Sequence, residues 1–116
     1  MNIEELRAYC LSLPGVAEDI KWDEHLCFMV GKKMFFVVNP DHVPIDGSFK
    51  TTPEIYAELT SSAEGFSPAP YLARYNWVKF DRLDILGDQE WKRHIDLAYT
   101  LVFDKLSAML KKEIRA

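Results

Sequence analysis

The run Met34-Phe35-Phe36-Val37-Val38 constrains the fold more than any other part of the chain. Successive side chains of a strand point to opposite faces, so five apolar residues in a row make both faces apolar and place the strand centrally in a sheet. Residues 26–30 have the same apolar, β-branched and aromatic character, and only Gly31-Lys32-Lys33 separates the two runs. A glycine-led break this short predicts a tight antiparallel hairpin. Asn39-Pro40-Asp41 closes the second strand with turn chemistry.

Around this hairpin the spacing predicts a helix over 2–13, capped by Asn2 with Glu5 three residues on. Its stripe is Ile3, Leu6, Tyr9, Cys10 and Leu13, and Pro14-Gly15 stops it. A short strand is expected over 19–22 and another over 45–51. Thr52-Pro53-Glu54 opens a second helix, with threonine as cap and proline at the first helical position. Residues 61–70 read as a Ser/Pro/Gly/Ala-rich loop. Residues 75–81 read as a strand with Tyr75, Trp77 and Lys79 on one face and Asn76, Val78 and Phe80 on the other. Asp88 is expected to cap a final amphipathic helix of about six turns. Its stripe is Trp91, Ile95, Ala98, Tyr99, Val102, Leu106, Met109 and Leu110. With no repeat or linker, 1–116 reads as one α+β domain, a two-layer sandwich of an antiparallel sheet packed by N-terminal and C-terminal helices.

A chain of 116 residues with 7 Phe, 5 Tyr and 3 Trp can build a core without disulfides or metal. The net charge of −4 runs against a general attraction to phosphate backbones, which comes from Lys and Arg releasing counterions, and leaves room only for a local basic patch. Cys10 and Cys27 sit among apolar neighbours and read as two reduced, buried thiols. Met1-Asn2-Ile3-Glu4-Glu5 lacks the basic and apolar regions of a signal peptide, and no apolar run nears the ~20 residues that span a bilayer. A cytoplasmic protein without a membrane segment is expected.

No motif for catalysis stands out. His25, His42 and His94 lack zinc spacing. His25 and Cys27 share a strand face but no second ligand pair accompanies them, so neither metal nor cofactor is expected. The carboxylates Glu18-Asp19, Asp23-Glu24, Asp81, Asp84 and Asp88 read as solvated turns and caps. No phosphate-binding loop, dinucleotide fingerprint or nucleophile elbow occurs, and a non-enzymatic protein is expected. The most distinctive stretch is Ser67-Pro-Ala-Pro-Tyr-Leu-Ala-Arg-Tyr-Asn-Trp-Val-Lys-Phe80. It sets Arg74 and Lys79 among Tyr71, Tyr75, Trp77 and Phe80, and aromatic faces beside cations can stack bases or hold anionic ligands. Trp77 and Phe80 can equally fill core. Lys50, just before the capped start of the second helix, would make an anion-binding corner, and Lys32-Lys33 at the hairpin tip a basic wing.

The chain resembles the MmcQ/YjbR-like family of small bacterial proteins over nearly its whole length. The resemblance rests on Leu13-Pro14-Gly15, on Glu18-Asp19-Ile20-Lys21-Trp22 leading into the hairpin, and on Phe49-Lys50-Thr51-Thr52-Pro53-Glu54. It continues in Pro70-Tyr71-Leu72-Ala73-Arg74-Tyr75-Asn76-Trp77-Val78 and Asp96-Leu97-Ala98-Tyr99. It implies a two-layer α+β fold similar to frataxin-like and secretion-chaperone-like folds and DNA binding through a double-wing arrangement of hairpins, and it supplies no agreed catalytic residues to carry over.

Two functions follow as expectations. The first is a DNA-binding module in which Lys32 and Lys33 contact phosphate and Lys50, Arg74 and Lys79 form a second cationic patch, with Tyr71 and Trp77 beside it. The second is a binding protein for a small anionic ligand or a peptide, with a pocket around Lys50, Tyr71, Arg74 and Trp77, and with Trp22 on its wall. Either is compatible with a monomer or a homodimer.

Overall fold

The structure, a computed structural model, describes residues 1–22 and 24–115; Asp23, one of the acidic turn residues above, lies outside them. The elements run α1 (Ile3–Ser12), β1 (Val16–Lys21), β2 (His25–Val30), β3 (Lys33–Asn39), β4 (Asp46–Lys50), α2 (Pro53–Ser62), β5 (Phe66–Pro68), β6 (Trp77–Phe80), α3 (Asp88–Phe103) and α4 (Ala108–Arg115). The strands form one antiparallel sheet in the order β1-β2-β3-β4-β6-β5. This is the α+β, two-layer arrangement that the sequence predicts.

The caps act as their residues dictate. Asn2 and Glu5 complete a reciprocal capping box, with Glu5 N–H donating to Asn2 Oδ1 at 2.8 Å and Asn2 N–H to Glu5 Oε1 at 3.0 Å. Thr52 accepts from Ile55 N–H ahead of Pro53. The β2–β3 hairpin turns on Gly31 and Lys32, both with positive φ (58° and 67°). Two successive left-handed residues match the strand twist of a two-residue hairpin, and Lys33 is thereby the first residue of β3 rather than part of the turn.

One irregularity governs the sheet. Phe28 pairs with Phe36 but Met29 pairs with Met34, so Phe35 is an extra residue, a β-bulge in β3. Both phenylalanines consequently face the helices. Phe35 meets the Tyr99 ring edge-on at 5.7 Å, and Phe36 packs against Phe49, Phe80 and Trp91. Met34, Val37 and Asn39 take the other face. The main core lies between this helix side of the sheet and α1 and α3, with Leu6, Cys10, Phe28, Trp91 and Ile95 fully buried. Trp91 sits at its centre and donates its indole N–H to Leu83 O at 2.7 Å. A smaller cluster of Cys27, Val37, Ala69 and Trp77, flanked by Met34 and Leu72, packs on the opposite face. The two cysteines therefore occupy different clusters.

Five expectations need correction. The strand placed at 19–22 is β1, from Val16 to Lys21; as an edge strand with one half-covered face it carries few apolar residues, which hid its start. The loop placed at 61–70 contains β5, three residues that exist only through pairing with β6. Tyr75 lies in a 3-10 turn, Ala73–Tyr75, ahead of β6. The final helix breaks at 104–107. Ser107 Oγ accepts from Leu110 N–H and starts α4 afresh, leaving Met109 73% exposed while Arg115 folds back over the Phe103 ring at 4.8 Å. At its other end α3 is capped by Gly87, whose N–H donates to Glu90. Asp88 instead pairs with the amino terminus at 2.6 Å.

Two measurements follow from this packing. Leu106→Ala should cost about 2–5 kcal/mol in urea unfolding and Met109→Ala less than about 0.5 kcal/mol; similar costs would mean one unbroken stripe. His94, packed on Phe49 at 5.1 Å, has its pKa lowered, first by burial and then by Arg93. A lowered histidine pKa means that the unfolded chain binds the proton more readily, so its contribution to stability is complete above the ordinary value of 6.5 and is lost as pH falls below it. His94→Gln should flatten the stability profile just below that value, and an unchanged profile would contradict this placement.

Candidate functional site

The face of the sheet away from α1 and α3 is only partly covered, and the gap is a cavity of about 630 Å³. The β3 bulge helps to create it, because in an unbroken strand Phe35 would share this face with Val37. His25 from β2, Met34, Val37 and Asn39 from β3, and Ser48 from β4 form its floor with Lys79 from β6. The register sets Ser48 beside both Val37 and Lys79. Gly47 permits the neighbouring strands to close up, since a Cβ there would collide with Val37 O and the Phe80 ring. Trp77 does not line the cavity; it is buried behind Val37 and Ala69 and supports the wall.

The wall is the strap 69–72 that follows β5. Ala69 N–H donates to Trp77 O at 3.1 Å, and Leu72 N–H returns to Ala69 O at 3.3 Å. Proline at the second position of this turn and a positive φ of 66° at the third, Tyr71, are the marks of a type II turn. Glycine normally takes that third position. Here a tyrosine takes it and stands 98% exposed. Trp22 is similar: it has φ 53°, is 67% exposed and lines the same cavity beyond the end of β1, with its ring edge-on to His25 at 5.5 Å. A bulky residue in the left-handed region costs about 1–2 kcal/mol, and neither ring recovers that cost by burial. Strain that packing does not offset points to function.

The polar groups gather at one part of the floor. Asn39 Nδ2 donates to Asp46 Oδ1 at 2.6 Å, while Asn39 Oδ1 and His25 Nδ1 are buried without a hydrogen-bond partner. Lys79 Nζ stands 4.0 Å from Asp46 Oδ2, and His42 Nδ1 lies 3.8 Å from Asp46 Oδ1. Among the described residues no group of three metal-ligating side chains occurs. The Cys27 thiol that shares this face with His25 has its pKa pushed up, chiefly by burial, which disfavours the thiolate a metal would need.

The other cations lie elsewhere. Lys32 and Lys33 occupy the β2–β3 hairpin tip, and the antiparallel register puts the end of β4 and the start of β6 at the same end of the sheet. Lys50 Nζ there donates to Tyr75 O at 2.6 Å, and its pKa is lowered, first by burial and then by Lys105. Arg74 is held to its neighbour, donating to the Tyr75 hydroxyl at 2.7 Å with its guanidinium 4.8 Å from that ring's centre. Of the residues singled out in the sequence, Tyr71, Lys79, Trp22 and His25 thus line one cavity, whereas Lys32, Lys33, Lys50 and Arg74 do not. Met34, Val37, Asn39 and Ser48 join it from outside the aromatic and cationic stretch, and Leu72 from within it without having been singled out. Period-two alternation pairs Ser48 with Lys79, but the bulge breaks that rule for Met34. Of the carboxylates, Glu18 pairs with Arg7 and Asp84 with Arg82.

Comparison with known proteins agrees with this architecture. The YjbR family model matches residues 11–101. The crystal structure of Deinococcus radiodurans protein DR2400, which carries a DUF419 domain, superposes with a TM-score of 0.87 at 25% identity, covering 98% of this chain and 88% of that one. No curated protein sequence matches. The chain belongs to the YjbR family.

The backbone at Tyr71 supplies a direct test. Tyr71→Gly should raise the unfolding free energy by about 0.5–1 kcal/mol, because relief of left-handed strain exceeds the entropy that glycine adds to the unfolded chain. A loss of stability would show that the ring helps to hold the fold.

Proposed function

For this member of the YjbR family we propose a binding function on the open face of the sheet, directed at a small, flat, largely apolar molecule. The observation that carries it is the pair of strained, exposed aromatic rings, Trp22 and Tyr71, at the lining of a cavity of about 630 Å³. That volume suits a small ligand. Met34, Val37, Ala69 and Leu72 provide apolar contact, and the two rings can stack on or edge against a planar guest. Among the described residues the site has no nucleophile with an activating base, so binding rather than catalysis is the reading that its chemistry favours. Burial of Cys10 and Cys27 in separate clusters suits a reducing cytoplasm.

DNA binding is the second reading. Its support is the placement of Lys32, Lys33 and Lys50 at one end of the sheet. Lys50 and Arg74 are committed to Tyr75, however, and the net charge is −4. Of the cations that the sequence singles out for DNA, that leaves the hairpin tip as the basic wing and Lys79, which lies in the cavity 4.0 Å from Asp46; this division favours the cavity. Duplex binding at low salt that loses about two units of log–log salt slope in the double variant Lys32→Gln, Lys33→Gln would reverse this preference.

The cavity reading is checked by titrating the protein with 2-naphthol under NMR observation. Binding on the order of 1 mM or tighter is expected, with shifts at His25, Val37, Ser48 and Leu72. Tyr71→Gly should weaken it about two- to tenfold, and Ser48→Phe, which fills the floor, should abolish it. Absence of shifts at these residues would refute the reading.

A further inference from the structure

The two edges of the sheet end differently. β5 is three residues long and closes on Pro68, which has no N–H to offer a further strand. β1 runs six residues, each opposite a residue of β2, and among the described residues no strand lies on its outer side. Its outward groups follow from the ladder. Val30 and Lys33 close the two-residue hairpin, and such a closing pair exchanges both of its N–H···O=C bonds. Val30 therefore directs its backbone groups to β3, and Val16 opposite it turns its own away from β2, its N–H donating to Leu13 O at 3.3 Å. By alternation the N–H and C=O of Glu18 and Ile20 also face outward.

The side chains of β1 divide by face. Glu18 pairs with Arg7 of α1 and Ile20 lies opposite Leu26 of the main core, so both stand on the helix side. Ile20 carries that apolar face to the edge, where it is 56% exposed. Asp19 and Lys21 stand on the other side, opposite Cys27 and His25. Charged residues on an edge strand ordinarily keep other strands away. Here two opposite charges share one face, which makes pairing selective in register.

A second copy that continues the sheet antiparallel is related by a two-fold axis normal to it. Residues of the same face must then lie opposite each other, so the axis passes beside one residue of β1 and its copy. An axis at Glu18 or Asp19 opposes two carboxylates, and one at Lys21 two ammonium groups, each unfavourable. An axis at Val16 or Ala17 leaves Ile20 beyond the paired stretch. At Ile20 all the groups agree. The two isoleucines meet and exchange N–H···O=C bonds, and Asp19 of each chain lies opposite the partner's Lys21, at the non-hydrogen-bonded position where side chains come closest. We propose that β1 is a self-association surface: two copies of this chain join edge to edge about Ile20 into one continuous antiparallel sheet, with an Asp19–Lys21 pair on either side of the axis. This surface is separate from the cavity and stands whether or not the cavity binds a guest.

Sedimentation equilibrium of the full chain and two charge variants tests the proposal. The wild type should dimerise with a Kd of about 1 mM or tighter, and hydrogen exchange at the outward Ile20 amide should slow as concentration rises, a readout that needs no variant. Asp19→Lys opposes two ammonium groups at each side of the axis and Lys21→Asp two carboxylates, so each alone should weaken dimerisation about tenfold or more. An equimolar mixture of the two variants restores opposite charges at both places and should associate about as tightly as the wild type. A wild type that stays monomeric to about 1 mM, or a mixture no tighter than either variant alone, would overturn the proposal. So would a dimer that is indifferent to both variants with Ile20 exchange unchanged, which would move the contact to another surface such as the exposed Met109 and Leu110 of α4.

Discussion

A single extra residue in β3 decides how the two faces of the sheet are used. Because Phe35 is bulged, it and Phe36 both enter the core beneath α3, and Met34 takes the place on the open face that Phe35 would otherwise hold. The core gains two aromatic rings from adjacent positions. The open face is spared one, and the space left becomes the cavity. Packing on one side and vacancy on the other thus have one cause.

The rest of the site follows from elements with their own reasons to exist. β5 and β6 pair antiparallel across the connection 69–76, whose first part, the strap 69–72, is tied to the start of β6 by the Ala69 N–H bond to Trp77 O. Trp77, buried behind the strap, holds it at a fixed height. What local propensity does not explain is the choice of Tyr71 and Trp22 for left-handed positions. Glycine or asparagine would satisfy the turns at less strain, and both rings are left in solvent. In a protein that binds a planar guest on this face, contact between guest and rings offsets that strain.

Much of the fold was legible because its signals are local. Asn2 with Glu5, Thr52 before Pro53, and Gly31 between two apolar runs each name an element boundary through nearby hydrogen bonds or backbone angles. β5 was not legible, since three residues of Phe-Ser-Pro become a strand only when β6 lies beside them. The break before α4 was signalled by Ser107 as a cap, but the apolar stripe continuing to Met109 and Leu110 masked it. The cavity was visible only in part. The aromatic and cationic stretch pointed to Tyr71 and Lys79, yet Asn39 and Ser48 are ordinary polar residues until the register aligns them, and no pattern in the chain marks the bulge that turns Met34 toward them. Lys50 and Arg74 stood out by charge and proved to be held by Tyr75.

The most direct examination of binding on the open face is a set of intermolecular nuclear Overhauser effects between 2-naphthol and methyl-labelled protein. Contacts from the ring protons to the methyl groups of Met34 and Leu72, which both line the cavity, are the predicted result. Contacts confined to Met109 and Leu110 on the exposed side of α4 would contradict it.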